Sequence, residues 1–243
     1  MPAQSNQSIH KDHRRRLKDR FLLEGLDNFT EIQALELLLF YCIPRRDTNP
    51  IAHGLLKRFG SFARVLEASA EELKQVEGIG EETATFLRLI PEMCRYYGVS
   101  SVQSLKILRT VEDCARYLVP YFEYRRNETV FLLCLDAKCK VLSCREVGEG
   151  SVNSAGVPLR RLVEVALAEN ATSVVLAHNH PSGVAMPSRE DVLTTQRLAA
   201  ALEAVEVTLA DHIVVAEGDC VSMVQSGYYR PGEPILEWRE ERT

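Results

Sequence analysis

No stretch of the 243 residues approaches the ~20 consecutive apolar positions that a membrane helix needs, which excludes a spanning helix. The first residues hold no apolar h-region, so a secretory signal is not expected. No CxxC pair occurs, and the seven cysteines are odd in number. Several sit inside apolar runs, as in Phe131-Leu132-Leu133-Cys134-Leu135. Free, buried thiols in a reducing compartment account for them most simply, and the expected location is cytoplasmic. Positive charge does not dominate either, with 29 Lys and Arg against 34 Asp and Glu. The net charge of −5 excludes a chain that coats nucleic acid along its whole surface.

What is present is ordinary for a globular protein: 46% apolar and 26% charged residues, over a length that allows one or two domains. The charge is uneven. Residues 1–20 carry Lys11, Arg14, Arg15, Arg16, Lys18 and Arg20 against only Asp12 and Asp19. Such a basic arm has two readings, a polyanion partner (DNA among them) or a solvated helix start.

The chain changes texture near its middle. Residues 1–13 read as a disordered basic arm. Residues 14–98 read as helical throughout, with a capping box at Thr30-Glu31-Ile32-Gln33 and Pro50 opening a helix behind Asn49. A helix is expected from Glu81 to about Tyr97, and the polar residues 99–107 read as a linker. Residues 108–230 mix strands and helices, and 231–243 form a polar tail. In the mixed part, Thr129–Leu135 and Lys140–Cys144 form a hairpin. Helices are expected over Pro158–Asn170 and Ser188–Val205, with a buried strand over Thr172–Ala177 between them. Short strands at Val207–Leu209, Ile213–Ala216 and Val221–Val224 follow. Helices first and mixed elements second argue for two domains, α/β overall.

The chemistry gathers behind the buried strand. His178 and His180 stand two apart on an extended chain, so both imidazoles leave on one side. Pro181-Ser182-Gly183 turns the chain. Ser188 is placed to cap the next helix, which puts Asp191 in its first turn, where the helix dipole favours a carboxylate. An HxH pair alone is weak, and Ser-x-x-Asp alone is only a helix cap. Together they offer one zinc ion three protein ligands and leave a fourth position for water, the pattern of a catalytic site. The HExxH helix of many metalloproteases is absent. So is the H-x-E with P-C-x-x-C of zinc deaminases.

The string His178-Asn179-His180-Pro181, followed by Ser188 and Asp191, resembles the JAMM motif of the MPN (JAB) domain. The longer His178-Asn179-His180-Pro181-Ser182-Gly183 with Pro187-Ser188-Arg189-Glu190-Asp191 is similar to the RadC family. The likeness extends to the helical start, the Gly78-Ile79-Gly80 region and Asp211-His212-Ile213. It implies an N-terminal helix-hairpin-helix-like domain followed by an MPN domain with a central sheet flanked by helices. It implies a zinc metallohydrolase, a protease in type, acting on a peptide or isopeptide bond of an unknown protein or peptide substrate. His178, His180 and Asp191 then bind zinc, and Ser188 supports the oxyanion. A glutamate on an earlier strand is the general base, with Glu128 favoured and Glu146 the alternative. Asn179 departs from the Ser or Thr of many peptidase members. Val157-Pro158-Leu159-Arg160 departs from the His-Pro-Arg-Glu of many RadC relatives.

The segment Val76-Glu77-Gly78-Ile79-Gly80-Glu81-Glu82 resembles a helix-hairpin-helix turn. Its amides at Gly78 and Gly80 could meet a DNA phosphate without reading sequence. Glu77, Glu81 and Glu82 would repel one. The alternative is a packing hairpin that only joins helices. Two further functions therefore stand beside the hydrolase: a DNA-associated repair or recombination accessory protein, and an MPN interaction module without catalysis.

Overall fold

A computed structural model describes residues 6–150, 158–217 and 219–232. They fall into two compact units that divide at Cys94/Arg95. The departure at Val157 lies outside the described residues.

Unit 1 is helical: α1 (Asn6–Glu24), α2 (Glu31–Cys42), α3 (Asn49–Phe59), α4 (Phe62–Glu67), α5 (Ala70–Lys74) and the first part of α6 (Glu81–Val102). Thr30 caps α2 with the full capping box, and Pro50 sits at the start of α3. Leu35, Leu39, Leu55, Leu73, Ala84 and Leu87 are fully buried in one core. Two expectations are corrected. The arm expected to be disordered over residues 1–13 is helical from Asn6. Leu17 holds α1 against Leu37 and Phe40 of α2, and His13 Nε2 lies 3.2 Å from the buried Glu36. The expected linker over residues 99–107 begins inside α6, which runs on to Val102. Ser101 donates its hydroxyl proton to the Gly98 carbonyl at 2.7 Å, so the polar residues serve the helix instead of ending it.

Unit 2 continues with α7 (Val111–Phe122), β1 (Thr129–Leu135), β2 (Val141–Glu149), α8 (Leu159–Ala168), β3 (Ser173–Asn179), α9 (Arg189–Glu203), β4 (Thr208–Ala216) and β5 (Asp219–Ser222). The sheet runs β2-β1-β3-β4-β5. β3 and β4 are parallel, joined through α9, and the other neighbours are antiparallel. Period-2 alternation sorts the side chains. Val130, Leu132, Val174 and Leu176 pack against α8 and α9. Phe131, Leu133, Val175 and Ala177 pack with Leu118 and Phe122 of α7. This unit is a mixed α/β layer structure, and β1 is buried along its whole length. Among the described residues no helix is long and apolar enough to cross a membrane.

The expected strands Val207–Leu209 and Ile213–Ala216 are one strand, β4. Ala210-Asp211-His212 reads as a polar break but continues the ladder, because its polar groups are satisfied inside the core. Asp211 accepts from the His212 N–H (2.7 Å), the Ser222 hydroxyl (2.5 Å) and the Val224 N–H (3.1 Å).

Candidate metal centre

β3 ends on His178-Asn179, and His180 follows with its N–H still donating to the Val215 carbonyl at 2.8 Å. The extended geometry therefore reaches His180, and both rings stand on the α9 side of the sheet. Asp191 arrives from the first turn of α9. Ser188 caps that helix, donating its backbone N–H (2.7 Å) and its hydroxyl proton (2.6 Å) to Asp191 Oδ2. The Asp191 N–H returns a bond to Ser188 Oγ at 3.1 Å. The three side chains then meet. His178 Nε2 lies 2.9 Å from His180 Nε2 and 3.3 Å from Asp191 Oδ1, and His180 Nε2 lies 3.5 Å from Asp191 Oδ2.

The donor set fits a cation. Two ring nitrogens and a carboxylate oxygen lie within 4.8 Å of one another. His180 Nδ1 is 3.0 Å from the Val184 carbonyl. A carbonyl only accepts, so Nδ1 carries the proton and Nε2 turns a lone pair to the centre. His178 is wholly buried, and that burial draws its pKa below the ordinary imidazole value, with the Asp191 charge opposing. Neutral imidazole is the form that ligates metal. The centre opens beside His180, whose side chain keeps 18% exposure against 0% for His178 and 3% for Asp191. The turn between the ligands depends on Gly183, whose φ is +84° and where a Cβ would stand 2.9 Å from Glu217 Oε1.

Of the two candidate bases, Glu128 precedes β1. It lies two residues before Val130, which pairs with His178. Asn179 holds this stretch. Its Oδ1 accepts from the Thr129 N–H at 2.7 Å, and its Nδ2 donates to the Asn127 carbonyl at 3.2 Å. Glu146 pairs with Phe131 on the α7 side of the sheet, is exposed, and makes a 2.7 Å ion pair with Arg125.

Residues 108–228 match the family model described as the RadC-like JAB domain. The chain is 34% identical over 221 residues to a UPF0758 protein of Ruegeria pomeroyi, covering 91% of this chain and 99% of that one. It is 31% identical over 225 residues to a UPF0758 protein of Fusobacterium nucleatum, covering 90% and 97%. The chain belongs to the RadC family.

Within this RadC-like JAB domain, two residues of the site carry no role in the sequence reading. His212 of β4 stands next to His178, its Nε2 2.8 Å from His178 Nδ1. Thr195 of α9 lies with its hydroxyl 2.6 Å from His212 Nδ1 and 2.6 Å from the Asp191 carbonyl. Thr195 is four residues after Asp191, one helical turn on, and that spacing was the available signal. His212 sat between two expected strands, and no local pattern marked it as part of the site.

Gly78 and Gly80 belong to unit 1, before α6. Gly78 has φ +90°, and a Cβ there would stand 2.8 Å from Ile51 Cδ1, so its glycine serves the turn and its packing. Glu81 is paired with Lys74 at 2.8 Å. Arg14, Lys18 and Arg20 of α1 pack against the rest of unit 1. Arg14 donates to the Ile43 carbonyl at 2.6 Å, and its guanidinium lies 4.8 Å from the centre of the Phe40 ring. Lys18 lies over the Tyr41 ring and Arg20 over the Phe29 ring.

Proposed function

We infer that this RadC-family protein is a zinc-dependent hydrolase of the JAMM type, cleaving a peptide or isopeptide bond. The observation that carries the reading is the convergence of His178 Nε2, His180 Nε2 and the Asp191 carboxylate on one point, with His180 partly exposed to solvent. Two imidazoles and one carboxylate suit zinc better than they suit calcium or magnesium, which prefer all-oxygen shells. A zinc ion held there would supply Lewis-acid activation of water and of the scissile carbonyl near neutral pH.

The other steps fall to side chains of the chain itself. Glu128, two residues before the Val130 that pairs with His178, takes the proton from the attacking water and hands it to the leaving amine. Asn179 fixes the backbone on both sides of Glu128, which keeps the carboxylate near the reacting atoms. Ser188, expected to support the oxyanion, already donates its hydroxyl proton to Asp191, so its first task is to orient that ligand. Support of an oxyanion requires the hydroxyl to turn away from Asp191. Val184 and Met186, exposed on the loop that holds His180, offer apolar surface to a substrate chain.

The test is substrate trapping. The zinc-loaded Glu128→Gln protein is expected to retain a bound protein or peptide that the unaltered enzyme cleaves, with a new amine released, and His178→Ala is expected to cleave nothing. Cleavage of the trapped material by His178→Ala at the unaltered rate would overturn the assignment.

A further inference from the structure

The hydrogen bonds behind the centre run in a line, and each link has only one polarity open to it. The Asp191 backbone carbonyl can only accept, so at 2.6 Å the Thr195 hydroxyl gives it its single proton. The other acceptor near that hydroxyl, Met223 Sδ at 3.5 Å, is a weak thioether and does not compete. With its proton committed, Thr195 Oγ1 must accept from His212 Nδ1 at 2.6 Å. His212 is wholly buried, and burial favours the neutral ring, which holds one proton, here on Nδ1. Its Nε2 is therefore a lone pair, and it must accept from His178 Nδ1 at 2.8 Å. The His178 proton is thus on Nδ1, and Nε2 is left as a lone pair aimed at His180 and Asp191.

We propose that Thr195 and His212 are positioning residues that set the tautomer of His178 through this chain, Asp191 carbonyl to Thr195 to His212 to His178, and so present Nε2 as a metal ligand. The arrangement ties two ligands together, because the chain starts on the Asp191 backbone and ends on His178. It also explains why a histidine stands in the middle of a buried strand. A neutral imidazole, with one donor and one acceptor nitrogen on opposite sides of the ring, can pass hydrogen-bond polarity from a hydroxyl to a second imidazole. Outer partners of this kind commonly govern ligand basicity and orientation. Without the Thr195 hydroxyl, His212 is free to carry its proton on Nε2 and donate to His178 Nδ1, which moves the His178 proton onto Nε2 and blocks the ligand. The proposal rests on the metal reading, and its test separates the two.

The tautomers are read in metal-free full-length protein by long-range proton–nitrogen NMR of the histidine rings. The expected result is His178 and His212 both protonated on Nδ1. Zinc affinity is then measured by competition with a chromophoric chelator. Thr195→Val should bind zinc about 10–100-fold more weakly. Thr195→Ser, which keeps the hydroxyl, should stay within about threefold of the unaltered protein. His178 protonated on Nε2 in the metal-free protein would overturn the proposal without any variant. Thr195→Val binding zinc as tightly as Thr195→Ser would overturn it too. Failure of the unaltered protein to take up zinc sinks the metal reading, while the NMR result still decides the relay.

Discussion

The side-chain amide of Asn179 holds the backbone N–H of Thr129 at 2.7 Å, and from its other end it reaches the Asn127 carbonyl. Glu128 lies between those two anchors. The residue that separates the two candidate histidine ligands thus also anchors the backbone on either side of the candidate base. Many peptidase members of the wider JAMM group carry Ser or Thr here, and the longer amide of Asn spans both sides of Glu128.

Asn179→Ala is therefore expected to act in two ways. It leaves the buried Thr129 N–H without its acceptor, which costs about 1–3 kcal/mol of stability, measured by urea unfolding. It also loosens Glu128, which should lower kcat about 10²-fold on a trapped substrate while zinc content stays near that of the unaltered protein. Loss of zinc together with activity would show that Asn179 serves the ligands and not the base.

The two carboxylates should separate cleanly. Glu146→Gln removes only an exposed ion pair with Arg125, so stability should change by about 0–1 kcal/mol and kcat should hold. Glu128→Gln should keep zinc and stall turnover. The reverse pattern would move the base to the other side of the sheet.

Much of this site could be read from the chain, for local reasons. His178 and His180 share a side because strands alternate, and Ser188 and Asp191 are joined by a capping box three residues long. Glu128, and its preference over Glu146, came from the family likeness, whereas the pairing of Glu146 with Phe131 on the α7 side needed the register of β1 against β2. His212 was hidden because Asp211 and His212 are polar in the middle of a strand. Their partners, Ser222, Thr195 and His178, lie at sequence distances no local pattern reports. The end of α6 was misjudged for the converse reason. Ser100 and Ser101 look like linker, yet a serine hydroxyl can bond back to a helix carbonyl.

Asp211 should leave a pH signature. Burial raises its pKa above the ordinary 3.8, against the pull of Ser222 and the backbone donors of Val224 and His212. Between 3.8 and the raised value the folded state binds more protons than the unfolded chain, so stability falls as pH rises through that window. The unaltered protein should thus lose stability relative to Asp211→Asn as pH is raised from about 4 upward. Urea midpoints of the two proteins across this range check it. Parallel curves would contradict it.

The glycine turn of unit 1 should be unequal in its demands. Gly78→Ala meets both a positive φ and Ile51, and should destabilise unit 1 by more than about 1 kcal/mol. Gly80→Ala finds nothing within 4 Å and no positive φ, and should cost less than about 1 kcal/mol. Thermal unfolding of the two variants makes the comparison.

His178, His180 and Asp191 meet at one point as candidate ligands, and metal content tests directly whether they hold zinc. Protein supplied with zinc and then freed of excess should hold close to one zinc per chain by elemental mass spectrometry, and His178→Ala and Asp191→Ala should hold almost none. A folded, unaltered protein that binds no zinc, or variants that retain it in full, would contradict the metal centre.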